Sequence, residues 1–143
     1  MSGVLPRYEP LEHTAEAGII ARGVTLGEAF ANAAEGMYSL VLDLDGVHER
    51  VQRNIVLEAG DREQLLIDWL LELLFLTDTE GLVFRRFAVD ELTETHLRAR
   101  AWGEQFDPER HVSNNVMVKA VTHHMLAIDR EDSGYRVQVL FDI

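Results

Sequence analysis

Cysteine is absent from all 143 residues. Its absence excludes disulfides, thiolate metal ligands and cysteine nucleophiles together, and it fits a reducing, cytoplasmic setting. Proline is scarce, with only Pro6, Pro10 and Pro108. There is no linker-like stretch, internal repeat or low-complexity run, so a single domain over residues 1–143 is expected. Positive charge is also scarce: 13 Lys and Arg stand against 25 Asp and Glu, a net charge of −12. A surface that acidic repels phosphate backbones, so strong direct binding of nucleic acid is not expected. Divalent cations or a basic protein partner suit it better, with plain solubility as the alternative. The start "MSGVLPRYEP" lacks an apolar h-region after a basic residue, so no signal peptide is read. No apolar run is long enough for a membrane span. The richest stretch, residues 65–76, carries Asp68 and Glu72 in its middle. Phosphate-loop, dinucleotide and Ser-His-Asp patterns are missing as well.

Two helices are present in the pattern. In "TLGEAFANAAEGMYSLVLD", Thr25 stands three residues before Glu28, a capping-box spacing. Leu26, Ala29, Phe30, Ala33, Met37, Leu40 and Val41 then recur at helical steps, one apolar stripe suited to a sheet. In "DREQLLIDWLLELLFLTDTEG", Asp61 is the expected N-cap and Gly81 the expected stop. Apart from Gln64, Asp68 and Glu72, the residues from 65 to 76 are apolar, so this helix is expected to be buried on most sides. An apolar face left over for a partner stays open.

Strand-like segments fill most of the remainder: "GIIARG", "NIVLEAG", "LVFRRFAV", "HLRARAWG", "NVMVKAVTHHMLAIDR" and "YRVQVLFDI". In the last, Val137, Val139 and Phe141 share one face, and Arg136 and Gln138 the other. The expected fold is α+β and two-layered, with two main helices packed on a mostly antiparallel sheet.

Several polar residues have both a plain and a sharper reading. Glu12, His13 and Glu16 precede "GIIARG". Residues of this kind commonly satisfy loop backbone groups, but His13 and Glu16 could also share an ion or substrate. His123 and His124 are adjacent on an expected strand and should point to opposite faces, one at the core edge and one in solvent. Lys119, within "VMVKAVT", reads as a lysine snorkelling from a half-exposed strand or as a functional cation. The sequence closes on "FDI" directly out of a strand, placing Asp142 beside the carboxylate of Ile143. If the sheet brings these to Glu16, three carboxylates meet, and such a set needs a cation or shared protons. Hard oxygen donors suit Ca²⁺ or Mg²⁺.

"EHTAEAGIIARG" resembles the opening motif of the archease family, His-Thr-Ala-Asp followed by Ile-Gly-Ile or similar. "TLGEAFANAAEGMYSLV" is similar to its first helix, and "LLIDWLLELLFLTDTEGLVF" to its most distinctive block. "GEQFDPERHVSNNVMVKAVTHHML" and "VQVLFDI" complete a resemblance that spans the chain in order. The resemblance implies a cytoplasmic activator of an RtcB-type RNA ligase in tRNA splicing and RNA repair, not an enzyme. It would promote guanylylation of the ligase's active-site histidine, support turnover and broaden nucleotide use. It also implies a divalent ion, Ca²⁺ with Mg²⁺ or Mn²⁺ as alternatives, held by Glu16, Asp142 and Ile143, and a functional Lys119. Glu16 stands where the family has aspartate, Ala17 where isoleucine is usual, and Leu71 where asparagine is common. The rival readings are a metal-dependent hydrolase using Glu16 and Asp142, and a structural adaptor that docks through helix residues 65–76.

Overall fold

The computed structural model describes residues 5–13 and 16–143, with the backbone only at 12 and 13. The chain runs β1 (Tyr8–His13), β2 (Glu16–Gly23), α1 (Leu26–Val41), a short 3-10 turn (Leu44–Gly46), β3 (Val51–Glu58) and α2 (Arg62–Glu80). It continues as β4 (Leu82–Leu92), β5 (His96–Gln105), β6 (Ala120–Glu131) and β7 (Gly134–Asp142). The architecture is α+β, as expected. The strands divide into two antiparallel sheets, ordered β1-β2-β7-β6 and β3-β5-β4. Helix α1 packs on β2 and β4, and α2 on β6 and β3, so each helix bridges the two sheets.

Both helices begin and end as their sequences dictate. The Thr25 hydroxyl accepts from the Glu28 amide at 3.1 Å, and Glu28 accepts in return from the Val24 amide at 3.3 Å. The Asp61 carboxylate caps α2 through the Gln64 amide at 2.8 Å. Gly81 closes α2 with φ of 72°, a left-handed conformation that favours glycine.

The core lies between the helices and the inner sheet faces. Val137, Val139 and Phe141 of β7 are fully buried there, on the face expected for them. Trp69 is fully buried and donates from Nε1 to the Phe30 carbonyl at 2.9 Å, so its one polar atom is satisfied. Tyr38 is buried too; its hydroxyl donates to the Leu73 carbonyl at 3.0 Å and meets the Thr77 hydroxyl at 2.6 Å. Burial pushes its pKa up. Its ring stacks on Phe87 with centroids 5.8 Å apart, and Trp69 meets the same Phe87 edge-on at 6.2 Å. These contacts tie both helices to β4.

One strand was not expected, and two expectations need correction. Residues 8–11, left unassigned in the sequence, are part of an edge strand. Pro10 fits there because only one side of an edge strand must supply ladder hydrogen bonds. Residues 115–119 are not strand, and β6 starts only at Ala120. The break coincides with Asn115, whose φ is 59°. Within β6, Thr122 pairs with Leu140 and Ala127 with Gln138, so residues 123–126 bulge against Val139 alone. The bulge cancels the alternation expected for His123 and His124, and both are exposed. Helix α2 is buried on most sides, as expected, and the apolar face left over is Leu71 and Phe75, one turn apart and 39% and 57% exposed.

Candidate functional site

The sequence nominated Glu16, Asp142, Ile143, Lys119 and His13, and strand pairing brings His13, Glu16 and Asp142 to one end of the four-stranded sheet. β1 pairs His13 with Glu16, and β7 pairs Asp142 with Ala120 of β6. Between them β2 pairs Ala17 with Phe141, so one step further along the register Glu16 stands opposite Asp142. The row across all four strands is therefore His13, Glu16, Asp142, Ala120. Residues opposite one another in an antiparallel ladder project from the same face, so Glu16 and Asp142 share a face with Gly18 and Leu140. Gly18 matters to this approach: a Cβ on it would come within 2.5 Å of the Leu140 side chain, which is fully buried. The His13 side chain, with Thr14 and Ala15, lies outside the described residues.

Lys119 reaches the same end by a different route. Its amide donates to the Asp142 carbonyl at 2.8 Å, one residue before β6 begins. The segment leading to it is fixed by the end of α1. A helix C-terminus leaves its last carbonyls without partners. Here the Asn114 side-chain amide donates to the carbonyls of Ser39 and Leu40 at 3.1 and 3.3 Å, and its backbone amide donates to Val41 at 2.9 Å. The irregular loop is thereby held in place by the Asn114 cap and by an isolated antiparallel bridge between Leu42 and Ser113. Val118 is buried, while Lys119 is exposed and lines a groove of about 490 Å³ beside α2.

The donor chemistry at this end fits a hard cation. Glu16 and Asp142 offer carboxylate oxygens, and Ile143, half exposed, follows directly. Among the described residues no three His, Cys, Asp or Glu side chains are grouped to hold a metal. An ion there would therefore require an oxygen from outside that set of side chains.

A second acidic centre was not singled out in the sequence. Glu104, at the end of β5, is almost completely buried. One carboxylate oxygen accepts from the His48 amide at 2.7 Å and His111 Nε2 at 2.9 Å. The other meets Arg110 at 2.7 Å and Arg50 at 3.2 Å. The Asp107 amide donates to His111 Nδ1 at 2.9 Å, so the proton of the neutral ring sits on Nε2 and points at Glu104. Burial alone would raise the Glu104 pKa. Hydrogen bonds from Arg110, the His48 amide and His111, with the Arg110 charge, overcome it and bring the pKa down to about 2. The only trace in sequence was the polar run "DPERH"; the partners at 48 and 50 lie too far away along the chain to suggest themselves.

No helix among the described residues is long and apolar enough to cross a membrane. Residues 8–143 match the Archease protein family. The chain is 42% identical over 136 residues to protein archease of Aeropyrum pernix, covering 92% of this chain and 94% of that one. It is 38% identical over 141 residues to protein archease of Methanosarcina mazei, covering 96% of each. The solution structure of Methanobacterium thermoautotrophicum protein 1598 superposes with a TM-score of 0.82 at 38% identity, covering 96% of this chain and 99% of that one. A crystal structure from Thermotoga maritima, titled "an archease, possible chaperone", shares the fold with a TM-score of 0.61 at 17% identity, covering 94% and 96%.

Proposed function

The chain belongs to the archease family, and from that premise we propose that it is a non-catalytic protein cofactor of an RtcB-type RNA ligase. In this role it promotes guanylylation of the ligase's active-site histidine and repeated turnover in tRNA splicing and RNA repair. What supports the reading is the end of the four-stranded sheet, where Glu16 and Asp142 share one sheet face and Lys119 adjoins Asp142 through its backbone amide. Glu16, Asp142 and Ile143 would hold a divalent cation, Ca²⁺ in the first instance. Such an ion supplies positive charge against a nucleoside triphosphate. Lys119, exposed on the flank of β6, would contribute an ammonium for a phosphate oxygen. The net charge of −12 favours docking on a ligase whose nucleotide cleft is basic.

The test is ligase guanylylation with GTP and Mn²⁺, with and without this protein. The expected result is a faster first guanylylation and multiple turnover. Unchanged rates would end this reading. Phosphoester hydrolysis by the protein alone, lost in Glu16→Gln, would replace it with a metal-dependent hydrolase.

A further inference from the structure

We infer that the outward face of α2 is a docking groove for a basic amphipathic helix of a protein partner. Leu71 and Phe75 sit one helical turn apart on α2 and are exposed, although the rest of this helix's apolar surface is largely covered. Leu74 and Val118 line the floor between α2 and the segment before β6, and the groove measures about 490 Å³. Two large side chains at i and i+4 above an apolar floor are what a helix-in-groove partner engages with its own i, i+3, i+4 anchors. Phe75, the larger and more exposed, would be the main anchor.

Charge decides the occupant. Asp68, Glu72 and Asp78 rim the groove. Among the described residues none of the three is paired with a cation, whereas Glu80 on the same helix is held by Arg53 at 2.8 Å. The last turn of α2 carries no basic residue, so the negative end of the helix dipole adds to this field. Among the described residues Lys119 is the single cation lining the groove. A partner with lysine or arginine flanking its apolar stripe would meet these carboxylates, while an acidic one would be repelled. A second copy of this chain, at −12, is disfavoured for the same reason. The groove shares Lys119 with the ligase reading, but the inference rests on Leu71, Phe75 and their acidic rim on α2, so either can fail without the other.

The full chain, isotopically labelled, is titrated with a synthetic amphipathic helix of leucine and lysine, and in parallel with its leucine–glutamate counterpart. Saturable amide-shift changes confined to residues 68–78 and 118–119 are expected for the basic peptide only. Phe75→Ser should weaken binding by about tenfold or more, the loss typical of an anchor residue. Because that change could disturb the helix, Glu72→Lys with Asp78→Lys provides a second variant at exposed or half-exposed positions, with the same expected loss. Three outcomes overturn the proposal: shifts spread over acidic surfaces elsewhere, equal binding of the acidic peptide, or binding unaffected by both variants. Phe75-dependent self-association in sedimentation would also overturn it, in favour of a second copy as the occupant.

Discussion

Two acidic regions of this molecule are built on opposite principles. At Glu104 every carboxylate oxygen is met by donors from the chain itself: Arg50, Arg110, His111 and the His48 amide. At the end of the four-stranded sheet, Asp142 is exposed with no cation paired to it among the described residues, and Lys119 stands nearby without an acid. A buried, fully satisfied carboxylate locks loops together and has little capacity left for anything else. An exposed anion held by a rigid ladder keeps its capacity for a ligand. The difference separates a residue that builds the fold from residues proposed to act.

The core sets the scale for that comparison. Trp69→Ala should lower stability by about 3–5 kcal/mol, as large aromatic truncations do, with the lost Phe30 hydrogen bond included. Denaturant unfolding measures it, and a loss under about 1 kcal/mol would mean the site collapses without a cavity.

Glu104→Ala should follow at about 3 kcal/mol, because it strands partners arranged around a buried charge. The same residue gives a pH signature. Its carboxyl ionises at about 2 in the folded protein, below the ordinary 4.5, so the unfolded chain binds the proton more readily. The stabilisation is complete above the ordinary value and is lost as pH falls from about 4.5 through about 2. Unfolding midpoints across that window should steepen for the native protein relative to Glu104→Gln. Parallel curves would place Glu104 with the acting residues instead.

Asn114→Ala should lower stability by about 1 kcal/mol, the usual effect of losing a side-chain cap. It should also weaken ligase stimulation, since the loop that delivers Lys119 is released from the end of α1. A change in stability with full stimulation would uncouple that loop from the site.

The smallest stability effects, within about 0.5 kcal/mol as for exposed positions generally, are expected for Asp142→Asn and Lys119→Ala. Both should nevertheless lower stimulation of guanylylation severalfold, and Asp142→Asn should weaken calorimetric Ca²⁺ binding. A large stability loss with intact stimulation would invert the comparison.

Much of this was legible before any coordinates. Thr25 with Glu28, Asp61 and Gly81 marked the helices because caps are local: their partners lie within four residues. The inward face of β7 was legible from alternation. Glu16, Asp142 and Lys119 were nominated, but nothing along the chain could place Glu16 opposite Asp142. β1 was missed because Glu9, Pro10 and Glu12 do not look like a strand; pairing with β2 makes it one. The two exposed histidines were misread because the bulge at 123–126 answers to the neighbouring strand and not to its own sequence.

The sequence by itself determined where the chain coils, where it stops coiling and which face of each element is apolar. It did so because steric, capping and periodic preferences act over a few residues. Tertiary structure alone decided the division into two sheets, the placing of Glu16 opposite Asp142, and the satisfaction of Glu104 by residues 56 and 54 positions away. It also decided that Leu71 and Phe75 would face outward. Those outcomes depend on register and on which surfaces remain after the core is filled. Both are properties of the packed molecule and of no segment within it.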